Sequence, residues 1–298
     1  LQKGSMISTH LLERAKFIQK TKVGGEDKMI DISGIDYSRL DRPEVLTSLF
    51  HPRAERPSSH QIAGVHDVSI ATTDGVMLGG RFHVAGKSSA NILFFHGNGE
   101  IVADYDEVGP LYNGAGINFL PVDYRGYGRS TGKPTITSMM RDAHEILHFL
   151  VKWLFDNGYI GPLIVMGRSL GSAPALELSA NHGEQIGGLI VESGFAQTRP
   201  LLELLGFDMG AAGLGEKDGF LNLDKIRCIY KPTLIIHAEG DHLIPFSEGE
   251  MLYRASPAPD KQLLNIRGAN HNDIFIRGFK EYMEAVKGLA TALCVRKQ

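Results

Sequence analysis

The sequence predicts an α/β fold: a mostly parallel central sheet with helices on both faces and a small helical cap inserted late in the chain. Three observations predict it. Short apolar runs rich in Ile, Val and Phe recur from Asn91 to Ile266, with the composition of strands buried on both faces. Stretches of helical period separate them. Glycine-bearing polar loops follow the runs, at the carboxyl ends of the strands, where such sheets place their ligand chemistry.

The elements follow in chain order. Leu1 to Ser5, ahead of Met6, read as an expression-derived remnant and carry no weight in the fold. Residues 1–63 form an expected extension packed on the core, near the active-site rim. It includes a short helix over His10 to Lys20, with Leu11, Leu12, Ala15 and Ile18 on one face, broken at Gly24-Gly25. Arg42-Pro43 and His51 to Pro57 read as surface loop. The main domain is expected over 64–298. His66 to Ala71 alternates, Thr73-Asp74-Gly75 turns, and Val76 to Val84 returns as the other arm of a hairpin. Strands are expected at Asn91 to Phe95, Asn118 to Asp123, Leu163 to Met166, Gly188 to Val191, Thr233 to His237 and Gln262 to Ile266. Between them lie a helix ending near Tyr112 and a long helix from Thr137 to Asn157 with Ile146, Leu147, Leu150 and Leu154 on its apolar face. A helix around Glu248 to Arg254 and a closing helix over 277–295 complete the set. Residues 195–227 lack strand pattern, are rich in Leu and Gly, and suit the cap.

Composition narrows the function. A chain of 298 residues with net charge −3 shows no electrostatic footprint for nucleic acid or an anionic membrane. No run approaches the roughly 18 apolar residues of a spanning helix, and no signal-peptide pattern is expected at the start. Cys228 and Cys294 lie far apart without metal spacing and read as reduced thiols of a cytoplasmic protein. No His/Cys/Asp cluster suggests a metal, and no cofactor is expected. The run Gly126 to Pro134 imitates a phosphate loop, but Tyr127 and Pro134 stand where Gly and Ser or Thr are needed, and Thr131 spoils a dinucleotide fingerprint.

The chemistry centres on Gly167-Arg168-Ser169-Leu170-Gly171, between a buried strand and a small-residue helix. A serine flanked by glycines at two before and two after fits a sharp, strained strand-to-helix turn that lifts its hydroxyl above the sheet edge. A serine hydroxyl is a weak nucleophile until an imidazole takes its proton, and the imidazole needs an acceptor to fix its tautomer. His271, after the last strand, is the expected base, and Asp241, after the preceding strand, the expected acid. Glu192 and Glu239 are alternatives for the acid. The backbone N–H groups of Leu170 and Asn98 are the expected oxyanion donors. Asp273, His96 and Arg125 are expected to hold loops rather than to act on substrate.

Taken in order, His96-Gly97-Asn98-Gly99, Asp123-Tyr124-Arg125-Gly126-Tyr127-Gly128, Gly167 to Ser172, Asp241-His242-Leu243-Ile244-Pro245 and His271-Asn272-Asp273 resemble the α/β-hydrolase superfamily over residues 64–298. Within it the chain is similar to small-capped serine hydrolases of the ABHD type and to Bem46-like esterases. Ala238 and Asn270 depart from the pattern, standing where relatives often carry Gly. The resemblance implies a hydrolase of carboxylic esters or thioesters acting through an acyl-enzyme on a small-molecule acyl substrate. The short cap suggests short acyl chains. An aminopeptidase or amidase would use the same triad but needs an ammonium site, for which Glu203, Asp208 or Glu216 of the cap could serve. A catalytically idle binding module is the remaining reading.

Overall fold

The computed structural model describes residues 34–56 and 64–296, together with the backbone of 20–23 and 26–29. The chain divides into two compact units, Leu1–Ile35 and Asp36–Gln298. In the first, β1 (Lys20–Val23) and β2 (Glu26–Met29) pair antiparallel, Lys20 opposite Met29 and Val23 opposite Glu26. The helix expected over His10 to Lys20 lies outside the described residues, except for Lys20, which opens β1.

The second unit is built on an eight-stranded sheet in the order β10-β9-β8-β7-β5-β6-β4-β3. Its strands are β3 (Val65–Ala71), β4 (Met77–His83), β5 (Ala90–Phe95), β6 (Ile117–Val122), β7 (Leu163–Arg168), β8 (Gly188–Glu192), β9 (Thr233–Ala238) and β10 (Lys261–Ile266). Only β4 runs against its neighbours; β5, β6, β7, β8, β9 and β10 pair in parallel. The strands β5 to β9 are buried at every position, which is why they read as continuous apolar runs rather than alternating ones.

The helices are α1 (Pro43–Leu49), α2 (Gly109–Gly114), α3 (Ile136–Asp156), α4 (Ser172–Asn181), α5 (Thr198–Leu204), α6 (Asn222–Ile226), α7 (Phe246–Ala255), α8 (Ile274–Arg277) and α9 (Phe279–Arg296). On one face of the sheet Ile92, Phe94, Ile164, Met166, Ile190, Leu234 and Ile236 pack against α2 and α9, whose Tyr112, Tyr282, Val286, Ala290 and Leu293 are all buried. Helix α4 packs on β7 and β8, with α3 and α6 beside it. Thr135 starts α3: its hydroxyl accepts the Ser138 N–H at 3.0 Å, while the Ser138 hydroxyl accepts the Thr135 N–H at 2.8 Å. Ile146, Leu147, Leu150 and Leu154 then form the buried face that their spacing predicts. Tyr112 lies inside a shorter helix than expected, one that starts at Gly109, ends at Gly114 and is preceded by a 3-10 turn over Val102–Tyr105.

Two differences from expectation bear on the site. Arg42-Pro43 does not sit in a loop: Pro43 is the first residue of α1, where its missing N–H costs nothing and its fixed φ suits the helix. Residues 36–56 also belong to the same compact unit as the sheet. Leu40, Val45 and Leu49 of this arm are buried, Asp41 accepts the N–H of Ile136 at the start of α3, and Ala54 bridges to Gly128.

Candidate active site

The turn between β7 and α4 has the geometry its glycines call for. Ser169 has φ +52°, one of three non-glycine residues with positive φ among those described. A Cβ on Gly167 would lie 2.1 Å from the Gly171 carbonyl oxygen, and one on Gly171 would lie 2.1 Å from that of Phe95. Strand, turn and helix therefore close on each other only because both positions lack a side chain. The result presents Ser169 just past the strand's carboxyl end, as the first residue of a 3-10 turn over Ser169–Gly171 that leads into α4.

Loops after β9 and β10 bring the next two residues to it. The Ser169 hydroxyl lies 3.0 Å from His271 Nε2, and His271 Nδ1 lies 2.7 Å from Asp241 Oδ2. His271 and Asp241 are both buried. The second oxygen of Asp241 accepts the backbone N–H groups of Leu243 and Ile244, at 3.0 and 2.8 Å. Burial alone would raise the Asp241 carboxyl, but the hydrogen bond from His271 and those backbone donors hold it below the usual range. Beneath it, His237 Nε2–H donates to the Ile244 carbonyl at 2.8 Å.

The alternative acids are engaged elsewhere. Glu192 pairs with Arg168 at 2.6 Å and accepts the Tyr282 hydroxyl at 2.5 Å, while Glu239 accepts the N–H of Gly268. Asp273 caps its own loop, accepting the Asn270 N–H and binding Arg277. Arg125 ties Asp74 to Asp142, and the buried His96 ring lies against Tyr124 and Tyr127, 3.4 Å from Asp123.

A cavity of about 180 Å³ opens over Ser169. Asn98 and Leu170 line it, as does His271; its apolar wall is Leu49, Leu201, Leu204, Leu205, Leu243 and Ile244. On the cap, Leu202 of α5 is buried, whereas Leu201, Leu204 and Leu205 face the cavity. The cap carboxylates do not face it. Glu203 lies 3.8 Å from Arg199, Asp208 accepts the Ala211 N–H, and Glu216 accepts the N–H groups of Thr198 and Arg199.

The arm ahead of the sheet reaches the rim of the site through specific side-chain contacts. The Asn98 side chain accepts the His51 backbone N–H and the Tyr127 hydroxyl, each at 2.9 Å, and its Nδ2 lies 2.7 Å from His51 Nδ1. Arg53 Nε donates to the Gly99 carbonyl at 2.8 Å, and its guanidinium pairs with Asp104. Residues some 46 positions upstream thereby hold the loop after β5, and no local pattern in the sequence signals it.

A parallel sheet of this order, with a serine on a strained turn after β7 and a histidine and an aspartate delivered by the last two strand loops, defines a protein of the α/β-hydrolase superfamily. The comparisons agree. Residues 86–211 match a family model described as serine aminopeptidase, S33. Alpha/beta hydrolase domain-containing protein 17B of Homo sapiens is 32% identical over 209 residues, covering 66% of this chain and 64% of the relative. The chain thus spans under two thirds of that relative's length. Uncharacterized protein Rv2307c of Mycobacterium tuberculosis (strain ATCC 25618 / H37Rv) is 26% identical over 246 residues, 78% of this chain and 81% of the relative. Among solved structures, the Pyrococcus furiosus esterase Pf2001 superposes with a TM-score of 0.61 at 24% identity, covering 77% of this chain and 93% of that one. Est1E from Butyrivibrio proteoclasticus with bound ferulic acid gives 0.62 at 18% identity, covering 76% and 99%. These structural likenesses speak to the fold. The chain belongs to the α/β-hydrolase superfamily, in its ABHD-type branch.

Among the described residues, no helix is long and apolar enough to cross a membrane, and no group of three or more His, Cys, Asp or Glu is placed to hold a metal ion.

Proposed function

We propose that the chain is a serine hydrolase that cleaves carboxylic esters or thioesters through an acyl-enzyme. The observation that carries this reading is the hydrogen-bonded line Asp241–His271–Ser169 at the floor of an apolar cavity. Ser169 Oγ attacks the acyl carbonyl carbon as its proton passes to His271 Nε2. Asp241 fixes the tautomer, with Nδ1–H turned toward it, and stabilises the imidazolium. The oxyanion develops toward the backbone N–H groups of Leu170 and Asn98, two preformed donors of the kind that contribute a few kcal/mol each. Collapse breaks the C–O or C–S bond, and the leaving group takes the proton from Nε2. Water then yields a proton to Nε2 as its oxygen attacks the acyl carbon; the bond to Oγ breaks, Oγ takes the proton back from Nε2, and the carboxylic acid leaves.

The cavity wall favours an acyl group over a peptide N-terminus. Among the described residues Glu100 is the one carboxylate lining it, and Arg168 engages that group at 2.8 Å, so none of these is left for a substrate ammonium. A cytoplasmic setting is part of the same proposal, consistent with the unpaired thiols of Cys228 and Cys294. The test is covalent labelling by a fluorophosphonate probe together with p-nitrophenyl ester turnover. Both are expected in the wild type and lost in Ser169→Ala; labelling that persists in that variant defeats the nucleophile assignment. Well-folded protein that neither labels nor turns over would favour the idle binding module.

A further inference from the structure

We propose that Arg168, the residue just before the nucleophile, is a positioning residue that locks the oxyanion loop and the histidine loop to each other; this rests on the hydrolase reading above and deepens it. Its guanidinium is buried and reaches three separate segments. Nε donates to Glu100 Oε1 at 2.8 Å, Nη1 to Glu192 Oε1 at 2.6 Å, and Nη2 to the backbone carbonyl of His271 at 2.9 Å.

Glu100 carries the connection onward. Its Oε2 accepts the backbone N–H of Gly97 at 2.7 Å and the Tyr105 hydroxyl at 2.6 Å. A Cβ on Gly97 would lie 3.1 Å from the same carboxylate oxygen, so the loop rests directly on it. Burial alone would raise the Glu100 carboxyl, but the Arg168 guanidinium and the Tyr105 hydroxyl outweigh this and hold it at about 2, so it stays an acceptor at neutral pH. A continuous path therefore runs from the His271 carbonyl through Arg168 and Glu100 to the peptide preceding Asn98, whose N–H is the proposed oxyanion donor. Glu192 anchors the third donor and is itself held by Tyr282.

Burying a guanidinium against the buried Glu192 and the half-buried Glu100 costs desolvation that hydrophobic residues would not incur, so such a cluster is a poor device for stability alone. What it supplies is fixed geometry. The planar fork of arginine serves three acceptors in set directions, whereas the single ammonium of lysine supplies charge without that fork. A displacement of about 1 Å between reacting groups can cost on the order of a hundredfold in rate.

The test compares Arg168→Lys and Glu100→Gln with the wild-type full chain on p-nitrophenyl butyrate, with rates expressed per fluorophosphonate-titrated Ser169. For Arg168→Lys, kcat per titrated site is expected to fall at least tenfold with KM within twofold. The inhibition constant of phenylboronic acid, which becomes a tetrahedral transition-state mimic when the serine oxygen adds to boron, should rise in step with the loss. Glu100→Gln, nearly isosteric, should show the same split to a smaller degree, and it carries the test if Arg168→Lys does not fold. A rate per titrated site within twofold of wild type in every folded variant overturns the proposal, as does a loss confined to KM. Wild type that neither labels nor turns over ester sinks the hydrolase reading and this inference together. Wild type that labels while the variants match it sinks only the inference.

Discussion

Asp241 divides its carboxylate between two tasks: Oδ2 lies 2.7 Å from His271 Nδ1, and Oδ1 accepts the N–H groups of Leu243 and Ile244. On the proposed mechanism one oxygen orients the imidazole, while the other secures the loop that carries Asp241 itself. Asp241→Asn is expected to keep the loop, through its amide oxygen, while presenting an amide NH₂ to the imidazole and favouring the wrong tautomer. On the proposed mechanism kcat should fall by roughly 10⁴-fold, with KM nearly unchanged. Steady-state ester kinetics check it, and retention of a tenth of wild-type kcat counts against the assigned role.

A second buried cluster lies away from the cavity. Glu177 accepts the Tyr37 hydroxyl at 2.6 Å, lies 2.8 Å from the fully buried Lys225 ammonium, and lies 3.3 Å from His144 Nε2. Burial alone would raise the Glu177 carboxyl; Lys225 and the hydrogen-bonding partners reverse this and hold it at about 2. A carboxylate depressed on folding contributes stability above its unfolded pKa of about 4.3. That contribution is lost as pH falls through the folded value. Melting temperature should therefore drop between about pH 5 and pH 2, and Glu177→Gln, less stable at pH 7, should drop less steeply over that window. Parallel melting curves for the two proteins would contradict it.

The arm that precedes the sheet reaches the loop after β5, the proposed source of an oxyanion donor, through His51 and Arg53. Replacing Arg53 by Met removes the bond to the Gly99 carbonyl and frees that loop. The expected cost is about 1 kcal/mol in transition-state stabilisation, seen as a roughly fivefold fall in kcat with little change in KM. An unaltered kcat would show that the loop holds itself.

The cavity over Ser169 measures about 180 Å³ and is walled by six aliphatic side chains. Acetyl and butyryl esters are expected to turn over faster than dodecanoyl esters, and Leu201→Trp should cut butyrate turnover more than acetate turnover. A chain-length series with p-nitrophenyl esters decides; faster turnover of the long chains would overturn the size reading.

The fold was legible because buried parallel strands announce themselves by composition, and Ile92, Val165, Ile190 and Ile235 needed no partner to be recognised. Ser169, Asp241 and His271 were legible for a different reason. Each follows a strand at its carboxyl end, so topology alone gathers them, with 102 positions separating the serine from the histidine. Helix α1 was hidden because Pro43 reads as a breaker until its place at the first turn is known. The links of Arg168 to Glu100 and Glu192 span 68 and 24 positions, and no periodicity joins such residues.

The positive φ of Ser169 has a price in the folding equilibrium. A side-chain-bearing residue in that region stores about 1–3 kcal/mol, and glycine would relieve it while adding back somewhat under 1 kcal/mol of unfolded-chain freedom. Ser169→Gly should then melt higher than the wild type although it can form no acyl-enzyme. On the proposed mechanism, the position that supplies the nucleophile would be one at which natural selection has accepted a less durable protein.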